Sequence, residues 1–245
     1  MLIEFQKQDR SGVYGFTQKS VAYNSNRIEG STLTESQTAS LFDTGTFYPE
    51  STDAIFRAKD VEEMNGHFKM FIYMLKCLGD PLSESIIKEL HKNLKEGVFE
   101  DLANGYAIGE WKRRKNMVGN IVTALPQEIP ERIQQLLDAY NSKSTISVLD
   151  IAKFHVEFET IHPFQDGNGR VGRMLILKQC LDDDIPPIVI RDSQKVQYYR
   201  GLSRAHDNGD YSSLAAFFEQ EQEYYKEAVL PMIFDYEEIE NMDVF

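Results

Sequence analysis

The chain has 245 residues and a formal net charge of −13, with 42% hydrophobic and 27% charged residues. That is the composition of a globular domain long enough to bury one sizeable core. The acidic balance argues against sequence-independent binding to nucleic acid or to anionic membranes, which needs a basic footprint, but leaves room for a local basic pocket.

Helical periodicity dominates from the N-terminus onward. Residues 1–16 read as irregular, interrupted by Gly12 and Gly15. A short helix is expected from Thr17 to Glu29, stopped by Gly30 at the position of a C-terminal cap. Thr34-Glu-Ser-Gln37 has the spacing of a capping box and opens a second short helix toward Phe42. Between Ile55 and Leu78, Val61, Met64, Phe68, Phe71, Ile72 and Leu75 recur at steps of three and four, one buried stripe of a long helix. Ser83 to Glu96 repeats the pattern with Ile86, Ile87, Leu90 and Leu94 and ends at Gly97.

Residues 97–127 break the pattern. There Asn116-Met-Val-Gly-Asn-Ile-Val-Thr123 reads as a β-hairpin or an extended flap. Helices resume over Glu128 to Tyr140, Ser147 to Ile161, Gly169 to Leu181, Ser193 to Asp207 and Ser212 to Val229. The tail from Asp235 to Phe245 carries five acids and little periodicity. The expected fold class is therefore all-α, a helical bundle with a small β-hairpin flap. Its expected divisions are an N-terminal extension over 1–50, a main domain over 51–230 and an acidic tail over 231–245.

Cys77 and Cys180 lie far apart in apolar runs, so a zinc knuckle or redox pair is excluded on spacing, and buried reduced thiols are expected. The first ten residues lack the apolar stretch of a signal peptide. The most apolar run, Phe68 to Leu78, is interrupted by Lys69 and Lys76 and is far short of the ~20 residues a membrane span needs. A cytoplasmic protein with no membrane partner and no nucleic-acid partner is expected. The basic run Lys112-Arg-Arg-Lys115 reads as a solvated edge of the flap.

The chemistry is concentrated in His162-Pro-Phe-Gln-Asp-Gly-Asn-Gly-Arg-Val-Gly-Arg173. Pro163 disfavours helical geometry in His162, so the preceding helix must end there. Gly167-Asn168-Gly169 tolerates positive φ and can turn successive N–H groups inward as an anion-binding nest, directly before a helix N-terminus. Arg170 and Arg173, three apart at that N-terminus, oppose the helix dipole unless an anion compensates them. Nest, helix end and arginines converge on a polyphosphate. Asp166 at the mouth is a hard carboxylate suited to magnesium, and His162 is the side chain suited to accept a proton near neutral pH.

This segment resembles the signature of Fic-domain proteins, His-Pro-Phe-x-Asp/Glu-Gly-Asn-Gly-Arg-x-x-Arg, at every fixed position. The wider likeness runs from about Thr17 to Val229. The resemblance implies an all-α Fic fold and transfer of AMP from ATP to a Ser, Thr or Tyr hydroxyl of a target protein, and of the enzyme itself. On this resemblance His162 would deprotonate the hydroxyl and Asp166 would hold Mg2+. Gly167, Asn168, Gly169, Arg170, Val171, Gly172 and Arg173 would form the phosphate-binding run, with Arg173 on the γ-phosphate. Asn116, Met117, Val118 and Gly119 match the family's flap, which pairs with the target backbone. Tyr198 and Tyr199 match its nucleotide-lining aromatic pair, and either His206 or Asn208 could meet the adenine.

Ser25-Asn-Arg-Ile-Glu29-Gly30 is similar to the inhibitory motif Ser/Thr-x-x-x-Glu-Gly/Asn of many Fic proteins. The resemblance implies that Glu29 pairs with Arg173 and blocks productive seating of the γ-phosphate. Related proteins often form homodimers. The alternatives are a Fic variant that transfers another group or removes AMP, and a non-catalytic nucleotide-binding helical module.

Overall fold

A computed structural model describes residues 1–46, 56–118 and 121–242. Helices α1 (Leu2–Gln6), α2 (Val13–Ile28), α3 (Glu35–Thr44), α4 (Ala58–Lys76) and α5 (Glu84–Lys95) form the first half. They are followed by α6 (Phe99–Ala103) and by an antiparallel pair of two-residue strands, β1 (Met117–Val118) and β2 (Ile121–Val122). The second half consists of α7 (Ile129–Asn141), α8 (Val148–Ile161), α9 (Asn168–Asp182), α10 (Lys195–Asn208) and α11 (Ser212–Met242). The fold is all-α with one small hairpin.

Local chemistry accounts for most helix ends. Thr34 caps α3 in a complete capping box, its side chain accepting from Gln37 N–H at 3.2 Å while Gln37 Oε1 accepts from Thr34 N–H at 3.0 Å. Ser83 and Ser147 cap α5 and α8. Gly30 follows α2 at φ +87°, a conformation that glycine adopts without strain.

Helix α9 is central: 12 of its 15 residues are buried. It is surrounded by other helices and buries Arg170, Arg173, Lys178 and Gln179 along with its apolar residues, so each of these polar groups faces a neighbouring element instead of water. Phe154, Phe158 and Ile161 of α8 pack with Val171, Met174 and Leu175 of α9 in the main core, which also takes in Leu90 and Leu94 of α5 and Ile133 of α7. A second cluster joins the outer faces of α8 and α9 to α10 and α11 through Ile176, Tyr198, Leu214 and Phe218. Both cysteines are free and buried.

The structure corrects four expectations. Residues 1–16 are not irregular, because α1 forms and α2 starts at Val13; buried Glu4 accepts from the N–H groups of Val13 and Tyr14 at 3.2 and 2.6 Å, capping α2 from outside. The N-terminal region is not an appendage, since Tyr14 and Val21 belong to the main core. The segment between Gly97 and the hairpin holds α6. The acidic tail is helical as far as Met242, and α11 passes through Pro231. Proline there removes one i→i−4 bond, and the strong helix formers beyond it let the helix resume.

Candidate active site

The loop between α8 and α9 is built by the residues of the signature itself. His162 caps α8 in the left-handed region, φ 51° and ψ 63°, with its N–H on the Phe158 carbonyl at 2.9 Å. Pro163 disfavours right-handed helical geometry in His162 and so ends α8, while the left-handed conformation His162 takes instead is uncommon outside glycine. Asn168 then staples the loop: its Oδ1 accepts from Phe164 N–H at 2.8 Å and its Nδ2 donates to the Phe164 carbonyl at 2.9 Å. Asn168 is 1% exposed, so its side chain shapes the loop instead of facing a ligand. Only Gly167 of the expected nest has positive φ, at +86°. Gly169 is helical and is small for another reason, since a Cβ there would stand 2.3 Å from Glu29 Oε1.

His91 supports the loop from α5. Its ring stacks on Phe164 with centroids 3.8 Å apart, and its Nδ1 accepts from Gly109 N–H at 2.9 Å. That fixes the tautomer, so Nε2 donates to the Asp166 carbonyl at 3.1 Å. Burial lowers its pKa to about 3, keeping the ring neutral as this arrangement requires.

Asp166 accepts from Gly167 N–H at 2.7 Å and from Lys95 Nζ at 2.8 Å, with Lys59 3.6 Å away. Lys95 is 1% exposed and also meets Glu63 at 2.5 Å and Asp101 at 2.7 Å. Burial alone would raise the Asp166 pKa, but Arg170 and Lys95 outweigh it and hold the carboxyl well below the usual carboxylate range. A permanently ionised, one-third exposed carboxylate fits the single protein ligand that magnesium takes beside phosphate oxygens.

Arg170 and Arg173 have separate partners. Arg170 is 2% exposed and pairs with Glu63 at 2.5 Å and with Asp166 at 3.5 Å. Arg173 donates from Nε to Ser25 Oγ at 2.9 Å, and from Nη2 to the Ser25 carbonyl at 3.0 Å and Glu29 Oε1 at 2.6 Å. Burial opposes the charge on Glu29, but Arg173 and then Arg170 outweigh it and leave its pKa lowered. The Ser25–Glu29 motif of α2 and the last arginine of the signature, 144 residues apart, thus meet directly.

Glu29 borders two clefts. One, of about 230 Å³, is lined by His162, Gly169, Arg173, Tyr198, Tyr199 and His206 among others. The other, of about 640 Å³, is polar and lined by Lys59, Glu63, Asp166 and Arg170 among others. Of the two candidates for a base contact, His206 lines the first cleft and Asn208 does not. Tyr198 is 1% exposed and bonds His155 Nε2 through its hydroxyl at 2.6 Å, while Tyr199 is 47% exposed at the cleft. Val171, expected in the phosphate-binding run, is instead fully buried in the main core with its N–H on the Gly167 carbonyl. Gly172 packs against Glu159 and His155.

At the hairpin, Asn116 is an anchor. Its Nδ2 donates to the Phe164 carbonyl at 3.0 Å and its Oδ1 accepts from Lys112 Nζ at 2.6 Å. Lys112 is 2% exposed, so the basic run is not wholly a solvated edge; only Arg113, Arg114 and Lys115 are exposed. Burial lowers the Lys112 pKa to about 8. Met117 is 61% exposed at the rim, and Gly119 lies outside the described residues. Sequence reasoning missed His91, Lys95, Glu63, Lys112 and Glu159. For those on helices the signal was a polar residue on an otherwise apolar face, as with His91 and Lys95 beside Leu90 and Leu94; Lys112, in the loop before the hairpin, carried none.

Residues 81–180, which hold this loop, His162 and the arginine pair, match the Fic/DOC family. The chain is similar to a Fic domain-containing signaling protein of Bacteroides thetaiotaomicron, with a TM-score of 0.73 and 28% identity over 87% of this chain and 85% of that one. It is 31% identical over 203 residues to protein adenylyltransferase Fic of Drosophila willistoni, covering 80% of this chain and 38% of that protein. Protein adenylyltransferase fic-1 of Caenorhabditis elegans is 25% identical over 188 residues, 75% of this chain and 36% of its own length. The chain thus spans well under half of these curated relatives. Among the described residues, no helix is long and apolar enough to cross a membrane.

Proposed function

We propose that the chain is a protein adenylyltransferase that moves AMP from ATP to a Ser, Thr or Tyr hydroxyl of a target protein and of itself, and that Glu29 restrains it. The nucleoside occupies the cleft of Tyr199 and His206, and the phosphates run past the N-terminus of α9 toward Asp166. Unpaired N–H groups and the positive end of the helix dipole favour phosphate there. His162 takes the proton of the attacking hydroxyl, whose oxygen bonds to the α-phosphorus as the bond to the β-phosphate breaks and pyrophosphate leaves. Burial, with Lys112 adding to it, lowers the His162 pKa to about 4, so the ring is a neutral acceptor at physiological pH. Magnesium on Asp166 would neutralise phosphate charge.

The observation that carries this reading is the seat of Arg173. A guanidinium meant for a γ-phosphate is held by Glu29 and Ser25 at hydrogen-bonding distance, beside the cleft that His162 lines. ATP labelled at the α-phosphorus tests it. Label is expected on protein at a low level with the parent chain, at least ten-fold more with Glu29→Gly, and none with Glu29→Gly/His162→Ala. Transfer of γ-label instead, or no gain on removing Glu29, would refute the reading.

A further inference from the structure

Glu159 lies one helical turn before His162 and plays no part in the reaction as described. Its Oε2 is 3.8 Å from His162 Nδ1, and its Oε1 is buried without a hydrogen-bond partner. His162 Nδ1 is likewise buried with no partner in hydrogen-bonding geometry. The carboxyl is thus the nearest acid to an Nδ1 that has no hydrogen bond of its own, and Glu159 and His162 line the smaller cleft together.

Space has been left for this carboxyl. A Cβ on Gly172 of α9 would stand 2.7 Å from Glu159 Oε1 and 3.0 Å from His155 Cε1. Glycine inside a buried helix costs about 0.5–1 kcal/mol relative to alanine, and an unpaired buried carboxyl costs more. A glycine kept small and a carboxyl oxygen left unpaired, both beside the base, indicate a role outside folding.

We propose that Glu159 is the positioning residue for His162: its carboxylate stands behind Nδ1 and holds the imidazolium that forms when Nε2 takes the target's proton. The inference rests on the transfer reading above. In the step, the hydroxyl proton passes to Nε2, the oxygen bonds to the α-phosphorus, and the bond to pyrophosphate breaks. The positive charge is then shared along Nδ1–H to the Glu159 carboxylate. At 3.8 Å the uncharged pair is not yet bonded; the charge created in the transition state supplies the attraction that closes the gap.

The groups facing the pair set its ionisation. Burial raises the Glu159 pKa to about 7, with Arg173 of α9 pulling it down and Glu29 of α2 pushing it up. Tyr198 and Tyr199 of α10 and His155 on the same helix also face it, while Lys112, the backbone carbonyl of Glu159, Glu29 and Asp166 act on His162. Activity should then rise with pH as Glu159 ionises near 7, while His162, at about 4, contributes no limb in that range.

The test compares Glu29→Gly with Glu29→Gly/Glu159→Gln, which keeps the shape of the side chain. The double variant should lose about 10–100-fold in kcat, keep its KM for ATP within two-fold, and lose the rise in rate with pH, which falls below pH 7 in this background because Glu29 no longer raises the Glu159 pKa. In parallel, the His162 ring resonance, followed by NMR without ATP, should inflect near pH 7 in the parent and not in Glu159→Gln. That measurement needs no turnover, so it separates failure of this inference from failure of the transfer reading. A double variant with unchanged kcat and pH profile, or a His162 signal indifferent to the substitution, would overturn it.

Discussion

Arg173 joins the packing of α2 on α9 to the restraint proposed for Glu29. In this state it is satisfied by Ser25 and Glu29, all three contributing to the packing of α2 on α9. Removing Glu29 takes the carboxylate from a 5% exposed guanidinium and leaves it with Ser25 and Tyr198. We expect Glu29→Gly to lower stability by about 1–3 kcal/mol, less than a fully stranded charge would cost because the adjoining cleft admits water. MgATP should restore it, so thermal melts should show a larger ATP-induced rise in Tm for Glu29→Gly than for the parent. The pH dependence has a definite sign. Glu29 has a depressed folded pKa, so its contribution is present above its unfolded value of 4.5 and is lost as pH falls through the folded one. The stability gap between the parent and Glu29→Gln should therefore be full at pH 6–7 and shrink below pH 4.5, as urea titrations at several pH values would reveal.

At this scale the signature and the Ser25–Glu29 motif were legible because each is a local run of side chains. The partners that tune them were not. Lys95, Glu63 and Asp101 gather around Asp166 from three separate helices, and no spacing along the chain announces that meeting. Lys112 looked like surface because its neighbours are basic; it is buried because Asn116 and Thr123 close over it from the two sides of the hairpin. Gly169 was legible as small but for the wrong reason, since its role is to admit the Glu29 carboxylate.

Among the elements, the pair α4 and α5 carries the ionic support of the loop, with Glu63 on one helix and Lys95 on the other. Their approach is set by Gly66. A Cβ there would stand 2.0 Å from the Leu94 carbonyl oxygen and 2.7 Å from its carbon, and backbone cannot yield as a side chain can. Gly66→Ala should push the helices apart at a cost of about 1–3 kcal/mol, readable as a lower urea midpoint. Because Leu94 adjoins Lys95, the same change should loosen Asp166 and raise the magnesium concentration needed for half-maximal transfer in a Glu29→Gly background. An unaltered magnesium requirement alongside the lower midpoint would mean that the cluster only stabilises the fold. Periodicity revealed α4 and α5 in advance, since their apolar stripes are long. The five-residue helices α1 and α6 offer too few turns for a period, and Pro231 hid the continuation of α11.

Over the whole molecule, the net charge of −13 conceals an interior that is rich in cations, with Lys95, Lys112, Arg170, Arg173 and Lys178 each no more than 5% exposed. The helix that carries Ser25 and Glu29 is woven into that interior. On α2, Tyr14, Val21, Ala22 and Ile28 are at most 7% exposed, and Gln18, Thr17 and Asn24 bond Phe68, Tyr225 and Asp192. Burying four such side chains is worth about 5–10 kcal/mol, comparable to the entire stability of an ordinary domain of about 5–15 kcal/mol. The proposed restraint and folding thus share one helix, and releasing the first by deletion would forfeit the second. A chain lacking residues 1–30 should fail to unfold cooperatively and should aggregate or bind a dye for exposed apolar surface, whereas Glu29→Gly should keep a single cooperative transition. If the truncated chain instead folded cooperatively and labelled protein as strongly as Glu29→Gly does, α2 would be a detachable lid. Its buried contacts with α4, α9 and α11 would then contribute far less than their area implies.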